Sequence, residues 1–89
     1  MASILNGINL NRLVVFAAIV DVGSFTGAAK RLGMTKTMVS AHMQKLEAEL
    51  GAGLLIRTTR RLALTEAGES FYEATQKILQ ATEQAVNSI

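Results

Sequence analysis

Apolar residues recur at helical spacing in the first part of the chain. They begin just after Asn9, a residue type that often caps helices, and continue to Gly23, a residue type that often ends them. The apolar positions of this segment are Leu10, Leu13, Phe16, Ala17 and Val20. Intervals of three and four place side chains on one helical face, so this segment is predicted to be a scaffold helix.

A second, shorter helix is predicted to start at Ser24, which offers a capping hydroxyl. Its apolar residues, which share one face, are Phe25, Ala28, Ala29 and Leu32. The following Gly33-Met34-Thr35 is short enough to turn the chain sharply into another helix, and Thr35 is a good cap for it. The pattern therefore predicts a helix-turn-helix.

The third helix, predicted over residues 35–50, has two different faces. At 100° per residue, its narrow buried stripe consists of Val39, Met43, Leu46 and Leu50. The opposite side consists of Thr37, Ala41, Gln44 and Ala48, flanked by Ser40 and Lys45, with Lys36 in the first turn. A small, polar face can enter a DNA major groove about 12 Å wide, where Gln, Lys and hydroxyl groups bond base edges. Base contacts are expected from the N-terminal half, because phosphates repel Glu47 and Glu49. The alternative is an ordinary amphipathic surface helix.

A β-hairpin is predicted after Gly51-Ala-Gly53. The segments 54–57 and 61–64 are β-prone and flank a Thr-Thr-Arg turn. Arg57, Arg60 and Arg61 lie at the tip and flanks of this hairpin, and guanidinium groups match phosphate oxygens. The two interpretations are a solvated charged turn and a wing that clamps the DNA backbone.

The last part of the chain is predicted to be one long helix, capped by Thr65 and extending to near Ser88. One apolar stripe at heptad-like spacing contains Phe71, Ala74, Ile78, Ala81 and Ala85, and a second contains Tyr72, Leu79 and Val86. Two stripes suggest two partners, the chain's own core and a second copy of the helix, so the first stripe is predicted to form a dimer interface. The alternative is a single wide face packed on the chain's own core.

Charge and composition narrow the function. Residues 24–64 carry seven basic and two acidic side chains, a net charge of +5, whereas residues 65–89 carry a net charge of −3. Residues 24–64 are therefore the part of the chain suited to bind a polyanion. The chain contains no cysteine, which excludes thiolate chemistry and zinc fingers, and no apolar run near the ~18 residues of a membrane span. A cytoplasmic protein without membrane association is expected.

Catalysis is not expected. His42 lies about 160° from Ser40 around the helix, too far for a nucleophile and its base within this turn, and a partly buried His42 is favoured. The sequence has no phosphate-binding glycine loop and no cluster of metal ligands. No enzyme activity, metal or cofactor is predicted.

Several motifs in one register resemble the N-terminal domain of the LysR-type transcriptional regulators. They are SFTGAAKRLGM, Val39-Ser40, Lys45-Leu46-Glu47, Glu49-Leu50-Gly51, Leu54-Leu55, Arg57-Thr58, Arg60 and Leu64-Thr65-Glu66-Ala67-Gly68. The run LLIRTTRRLALTEAG and Val39-Ser40-x-His42 are similar to the CrgA-like branch. The resemblance implies a mainly α fold, a winged helix-turn-helix with three helices and a two-stranded wing, followed by a long dimerising linker helix. The expected boundaries are a tail at 1–8, the DNA-binding domain at 9–64 and the linker helix at 65–89.

The resemblance and the helix pattern together give particular residues expected roles. The expected base-facing residues are Lys36, Thr37, Ser40, Ala41 and Gln44. The expected phosphate-facing residues are Ser24, Thr26, Thr35, Lys45, Arg57, Thr58, Thr59, Arg60 and Arg61. Three positions depart from the usual family pattern: Lys36 stands where Gln is common, Thr37 where Pro is common and Ala41 where Arg is common. Ala41 then offers only a methyl contact to thymine, and Lys36 supplies charge instead.

The preferred hypothesis is a sequence-specific module that binds double-stranded DNA as a homodimer at a partly palindromic site. The resemblance further implies an effector-binding domain beyond residue 89, with tetramers as an open possibility for the full-length regulator, so the chain is expected to be a fragment. The main alternative is a winged-helix protein-interaction module that dimerises through residues 65–89. A coiled-coil assembly element is a third hypothesis, but it leaves the central +5 charge unexplained.

Overall fold

The structure, a computed structural model, describes residues 8–58 and 61–89. Its helices are α1 (Leu10–Val22), α2 (Phe25–Leu32), α3 (Lys36–Leu50) and α4 (Glu66–Asn87). Between α3 and α4 lie the strands β1 (Leu55–Arg57) and β2 (Leu62–Leu64). The predicted fold class, three helices with a two-stranded wing and a long final helix, is confirmed.

The four helices of the described residues all begin at the polar residues that the sequence indicated. Each of these side chains accepts a hydrogen bond from a first-turn backbone N–H at 2.8 to 3.1 Å, which satisfies a donor that the helix itself leaves unpaired. The capping residues are Asn9, Ser24, Thr35 and Thr65. The first three helices end at glycines in the left-handed conformation, Gly23, Gly33 and Gly51.

Helix α1 lies at the centre of the fold, in contact with α2, α3 and α4. Its predicted apolar stripe is only partly right, because Leu10 is exposed and Val20 is only half-buried. Conversely, Val15 and Ile19, which lie outside that stripe, are completely buried. A helix covered from three directions buries residues around most of its circumference.

The remaining core residues follow the predicted helical stripes. Phe25, Ala28 and Ala29 of α2 are buried, as are Val39, Met43 and Leu46 of α3, whereas Leu32 and Leu50 are half-buried at the ends of their helices. These stripes fix which way α3 is rotated, and therefore which of its side chains face outward.

The two strands form the predicted antiparallel hairpin, but each begins one residue later than predicted, at Leu55 and at Leu62. Leu55 pairs with Leu64, and Arg57 pairs with Leu62. Thr58 closes the turn, because its backbone N–H donates to the carbonyl of Arg61 at 2.9 Å and its hydroxyl accepts from the Arg61 N–H at 3.0 Å. Thr59 and Arg60, between them, lie outside the described residues.

Helix α4 is joined tightly to the loop that precedes the wing. The Thr65 hydroxyl donates to the carbonyl of Gly53 at 2.6 Å, and the Thr65 N–H donates to the carbonyl of Leu54 at 3.0 Å. Gly68 lies where α4 comes closest to this loop, since a Cβ atom at this position would lie 2.0 Å from the Leu54 carbonyl oxygen. The absence of a side chain at Gly68 therefore allows α4 to dock.

Farther along α4, one side packs on α1. The rings of Phe71 and Tyr72 lie 5.7 and 6.2 Å from the ring of Phe16, and the Tyr72 hydroxyl donates to the carboxylate of Asp21. This hydrogen bond, together with burial and the charge of Asp21, raises the pKa of Tyr72. Among the predicted dimer contacts, Phe71 is thus half-buried within its own chain. The other four, Ala74, Ile78, Ala81 and Ala85, are exposed.

Candidate nucleic-acid interface

Six of the residues predicted to contact DNA line one groove of about 380 Å³. This groove, called here the wing groove, lies between the start of α2, the start of α3 and the hairpin. The six residues are Ser24, Thr26, Lys36, Arg57, Thr58 and Arg61. Two of the three arginines proposed for the wing therefore face the same space as the first turn of α3, while the third, Arg60, lies outside the described residues together with Thr59.

The outward face of α3 carries the predicted base-facing side chains. Thr37, Ala41 and Gln44 are exposed, Lys36 is exposed at the rim of the wing groove, and Ser40 is half-buried. The described part of α3 has no acidic residue before Glu47. The N-terminal half of α3 is therefore an exposed ridge without negative charge, beside a cationic groove.

Arg57 is held in place by an aromatic contact. Its guanidinium carbon lies 4.2 Å from the centre of the Phe25 ring at the start of α2. Such a cation–π contact holds the guanidinium plane in a defined position and leaves its N–H edges available for an anion. Phe25 was predicted only as a core residue, because no spacing rule relates it to a strand thirty residues later.

Glu47 and Glu49 have structural roles that the sequence pattern did not reveal. The Glu47 carboxylate accepts hydrogen bonds from the N–H groups of Leu54 and Leu55, at 2.6 and 3.3 Å, and so connects α3 to the start of the wing. Glu49 pairs with Arg12 of α1 at 2.5 Å. Both carboxylates thus hold neighbouring elements against α3.

Three of the predicted phosphate contacts use their hydroxyl groups within the fold. Ser24 and Thr35 accept helix-capping bonds, and Thr58 participates in the hairpin turn. The hydroxyls of Ser24 and Thr35 act as acceptors in these bonds, so each keeps its hydrogen for donation to an anion. The Thr58 hydroxyl also donates to the Arg61 carbonyl at 3.2 Å, so its main role is to shape the turn.

Lys45 lies on the other side of the α3 ridge from the wing groove. There, Arg12, Met38, Ala41, His42 and Lys45 line a shallow depression between α1 and α3. His42 is half-buried, as predicted. The exposed face of α3 therefore stands between two concave surfaces, each with basic side chains along its edge.

Two further features were sought by residue type and by helix length among the described residues, a cluster of metal ligands and a membrane-spanning helix. No group of three or more His, Cys, Asp or Glu side chains in residues 8–58 and 61–89 could hold a metal ion. In the same part of the chain, no helix has both the length and the apolar character that crossing a bilayer requires.

An exposed helix of a helix-turn-helix beside a cationic wing defines the class of winged-helix nucleic-acid-binding folds. Residues 10–69 match the model of the bacterial regulatory helix-turn-helix proteins of the lysR family. The chain belongs to this family.

Individual relatives agree with this assignment. The chain is 42% identical to the HTH-type transcriptional regulator PtxR of Pseudomonas aeruginosa over 96% of its own length and 27% of that protein. It is 46% identical to the regulator CrgA of Neisseria meningitidis, over 81% of its own length and 24% of that protein. The chain thus spans about a quarter of these relatives, and CrgA, whose branch the sequence resembles, is among them.

A solved structure resembles the whole winged domain. The BenM DNA-binding domain, crystallised in complex with the catB site 1 DNA, superposes with a TM-score of 0.88. That chain is 37% identical, and the match covers 91% of both chains. The fold is therefore that of a LysR-type DNA-binding domain.

Proposed function

We propose that the chain binds double-stranded DNA sequence-specifically, as the DNA-binding part of a transcriptional regulator. In this proposal, the N-terminal half of α3 enters the major groove, the wing contacts backbone phosphates, and two copies bind the two halves of a partly palindromic site. The observation that carries the proposal is the wing groove, where six residues predicted to contact DNA lie together beside the exposed face of α3. The DNA complex of the BenM domain supports it.

The charges around α3 favour this orientation. Lys36, Arg57 and Arg61 line the wing groove, while Glu47 and Glu49 are bound by the wing backbone and by Arg12. The acidic residues of α4 lie at 66, 69, 73 and 83, in a different part of the chain from the wing groove. A phosphate approaching the wing groove therefore encounters donors and positive charge.

Salt dependence tests the phosphate contacts. Affinity for a duplex should fall with salt concentration with a log–log slope of about −5 if some six phosphates are contacted, at about 0.9 per contact. Replacing both Arg60 and Arg61 by Ala should flatten the slope for cognate and random duplexes alike. Lys77→Ala, which removes one exposed positive charge on α4, is the matched control and should leave the slope unchanged. An unchanged slope in the double variant would remove the wing from the interface.

Base preference tests the orientation of α3. Lys36→Ala and Ser40→Ala should each weaken binding to a selected duplex by about 1–3 kcal/mol more than binding to random DNA, as expected for lost base contacts. Fluorescence anisotropy with both duplexes measures this difference. Equal losses on both duplexes would contradict the assignment of these side chains to base edges.

The exposed stripe of α4 is the proposed dimer contact. Ile78 is 42% exposed and is flanked on the same side of the helix by Ala74, Ala81 and Ala85, small residues that allow a second helix to approach closely. Ile78→Glu should yield monomers in sedimentation, because it buries a charge in an apolar contact. Gln80→Glu adds the same charge at an exposed position on the other side of α4 and should leave the dimer intact. A dimer that survives Ile78→Glu would place the contact elsewhere.

A further inference from the structure

Arg57 is a long, exposed side chain at the end of β1, in a groove that it shares with other cations. Lys36 and Arg61 line the same wing groove, and none of its described lining residues is acidic. Repulsion between these like charges favours conformations in which Arg57 points away into solvent. The Phe25 ring, whose centre lies 4.2 Å from the guanidinium carbon, opposes this repulsion by attracting the cation.

The Phe25 ring is itself fixed by the fold. It is 8% exposed and belongs to the hydrophobic core. Phe25 begins α2 directly after Ser24, whose hydroxyl accepts a hydrogen bond from the Gly27 N–H at 2.9 Å. The core and the helix cap therefore hold the ring, and the ring restricts the conformations of Arg57. A side chain that is ordered before its ligand arrives loses less conformational entropy on binding.

The kind of contact decides what Arg57 can still bind. A carboxylate in the place of the ring would accept guanidinium N–H bonds and neutralise the charge that attracts an anion. The face of an aromatic ring attracts the cation through its quadrupole, without accepting the N–H bonds at the guanidinium edge. The contact with Phe25 therefore orients Arg57 and preserves both its charge and its donors.

We propose that Phe25 is a positioning residue for DNA binding, whose ring holds Arg57 in the orientation that binds a backbone phosphate. The inference rests on the proposed function, and it gives a core residue a role in affinity although its side chain contacts no DNA. Phosphates are the same in every sequence, so the ring raises the affinity for all duplexes equally and contributes no base preference.

The test changes the electron density of the ring and keeps its shape. The 89-residue chain is synthesised chemically with trifluorophenylalanine at position 25, because fluorine withdraws electrons from the ring face and weakens its attraction for a cation. Affinity in fluorescence anisotropy should fall roughly twofold to fivefold for selected and random duplexes alike, the equivalent of about 0.5–1 kcal/mol for an exposed cation–π contact. In Arg57→Ala, the same replacement should leave the affinity unchanged, because the cation is absent.

The matched control places trifluorophenylalanine at position 16. The Phe16 ring is completely buried and packs against the rings of Phe71 and Tyr72, so this variant should bind duplexes as the parent does. If the parent chain binds no duplex, the proposed function itself fails. If the parent binds but fluorination at position 25 leaves its affinity unchanged, or lowers it equally in Arg57→Ala, the positioning role is wrong while DNA binding stands. A loss confined to the selected duplex would also overturn the positioning role.

Discussion

Replacement of Gly68 by Ala tests the contact that joins α4 to the loop before the wing. The added Cβ atom would lie 2.0 Å from the Leu54 carbonyl oxygen and 3.1 Å from a methyl group of Leu64. A carbon and an oxygen approach to about 3.3 Å at the closest in weak C–H···O contacts, so the two elements must separate by roughly 1.3 Å. The first contact is with a backbone carbonyl, which cannot rotate away as a side chain can.

The expected cost follows from the hydrogen bonds at the same place. Leu54 accepts from the Thr65 N–H at 3.0 Å, and Gly53 accepts from the Thr65 hydroxyl at 2.6 Å. A shift of more than 1 Å would break both, at about 1 kcal/mol each. Ala is a better helix former than Gly by about 0.5–1 kcal/mol, which offsets part of the loss. With the lost packing against Leu64 included, the net destabilisation should be about 1–3 kcal/mol.

Thermal and urea denaturation, followed by circular dichroism at one fixed protein concentration, measures this change. The melting temperature should fall by roughly 4–8 °C for each kcal/mol. Gly27→Ala is the matched control, since Gly27 is also helical but its added Cβ would meet the side chains of Val22 and Ser24, at 2.3 and 2.8 Å. Val22 is exposed and can change rotamer, so this variant should lose less stability. A Gly68→Ala variant as stable as the parent, or more so, would show that helix propensity dominates and that α4 does not dock as described.

Three further perturbations follow from single contacts. Glu47→Ala should lower the free energy of unfolding by about 1.5–3 kcal/mol, because two N–H groups lose a charged acceptor. Glu47→Gln keeps an acceptor, so its free energy of unfolding should fall clearly less in the same urea titration. Equal losses of stability in the two variants would refute the hydrogen-bonding role. Thr75 is completely buried, and its hydroxyl has no partner among the described residues. Thr75→Val should therefore raise the free energy of unfolding by about 1 kcal/mol or more, and with it the melting temperature. A melting temperature below that of the parent would refute this. The pKa of Tyr72 is raised from its ordinary value in the folded chain, mainly by the hydrogen bond to Asp21, so unfolding releases a proton at alkaline pH and stability should fall as pH rises through this pKa. Tyr72→Phe should weaken this fall, and the ultraviolet absorbance of this sole tyrosine should show a titration midpoint above that of free tyrosine; an ordinary midpoint would contradict the shift.

Local chemistry made most of the secondary structure predictable. Asn9, Ser24, Thr35 and Thr65 are strong caps, and each sits immediately before a run with helical periodicity. The hairpin was predictable because β-prone residues flank a polar turn. These signals depend on neighbours within a few positions, so they survive in the folded chain.

The properties that depend on distant parts of the chain were not predictable in the same way. The pattern along α1 did not show that Val15 would be buried, because that burial depends on elements packed against its several sides. No local rule explained Gly27, whose missing side chain makes room for Val22. The contact of Arg57 with Phe25 likewise depends on the tertiary arrangement.

The acidic residues at the end of α3 connect these two levels. From sequence, Glu47 and Glu49 argued only against DNA contacts in the C-terminal half of the helix, because phosphates repel carboxylates. In the structure, Glu47 binds the backbone at the start of the wing and Glu49 binds Arg12 of α1. The same helix thus has an exposed N-terminal half without acidic residues and a C-terminal half whose carboxylates fix the wing and α1 around it. Contacts from α3 therefore help to fix the cationic wing relative to the exposed ridge, so substitutions at Glu47 should alter the wing without changing a residue predicted to face DNA.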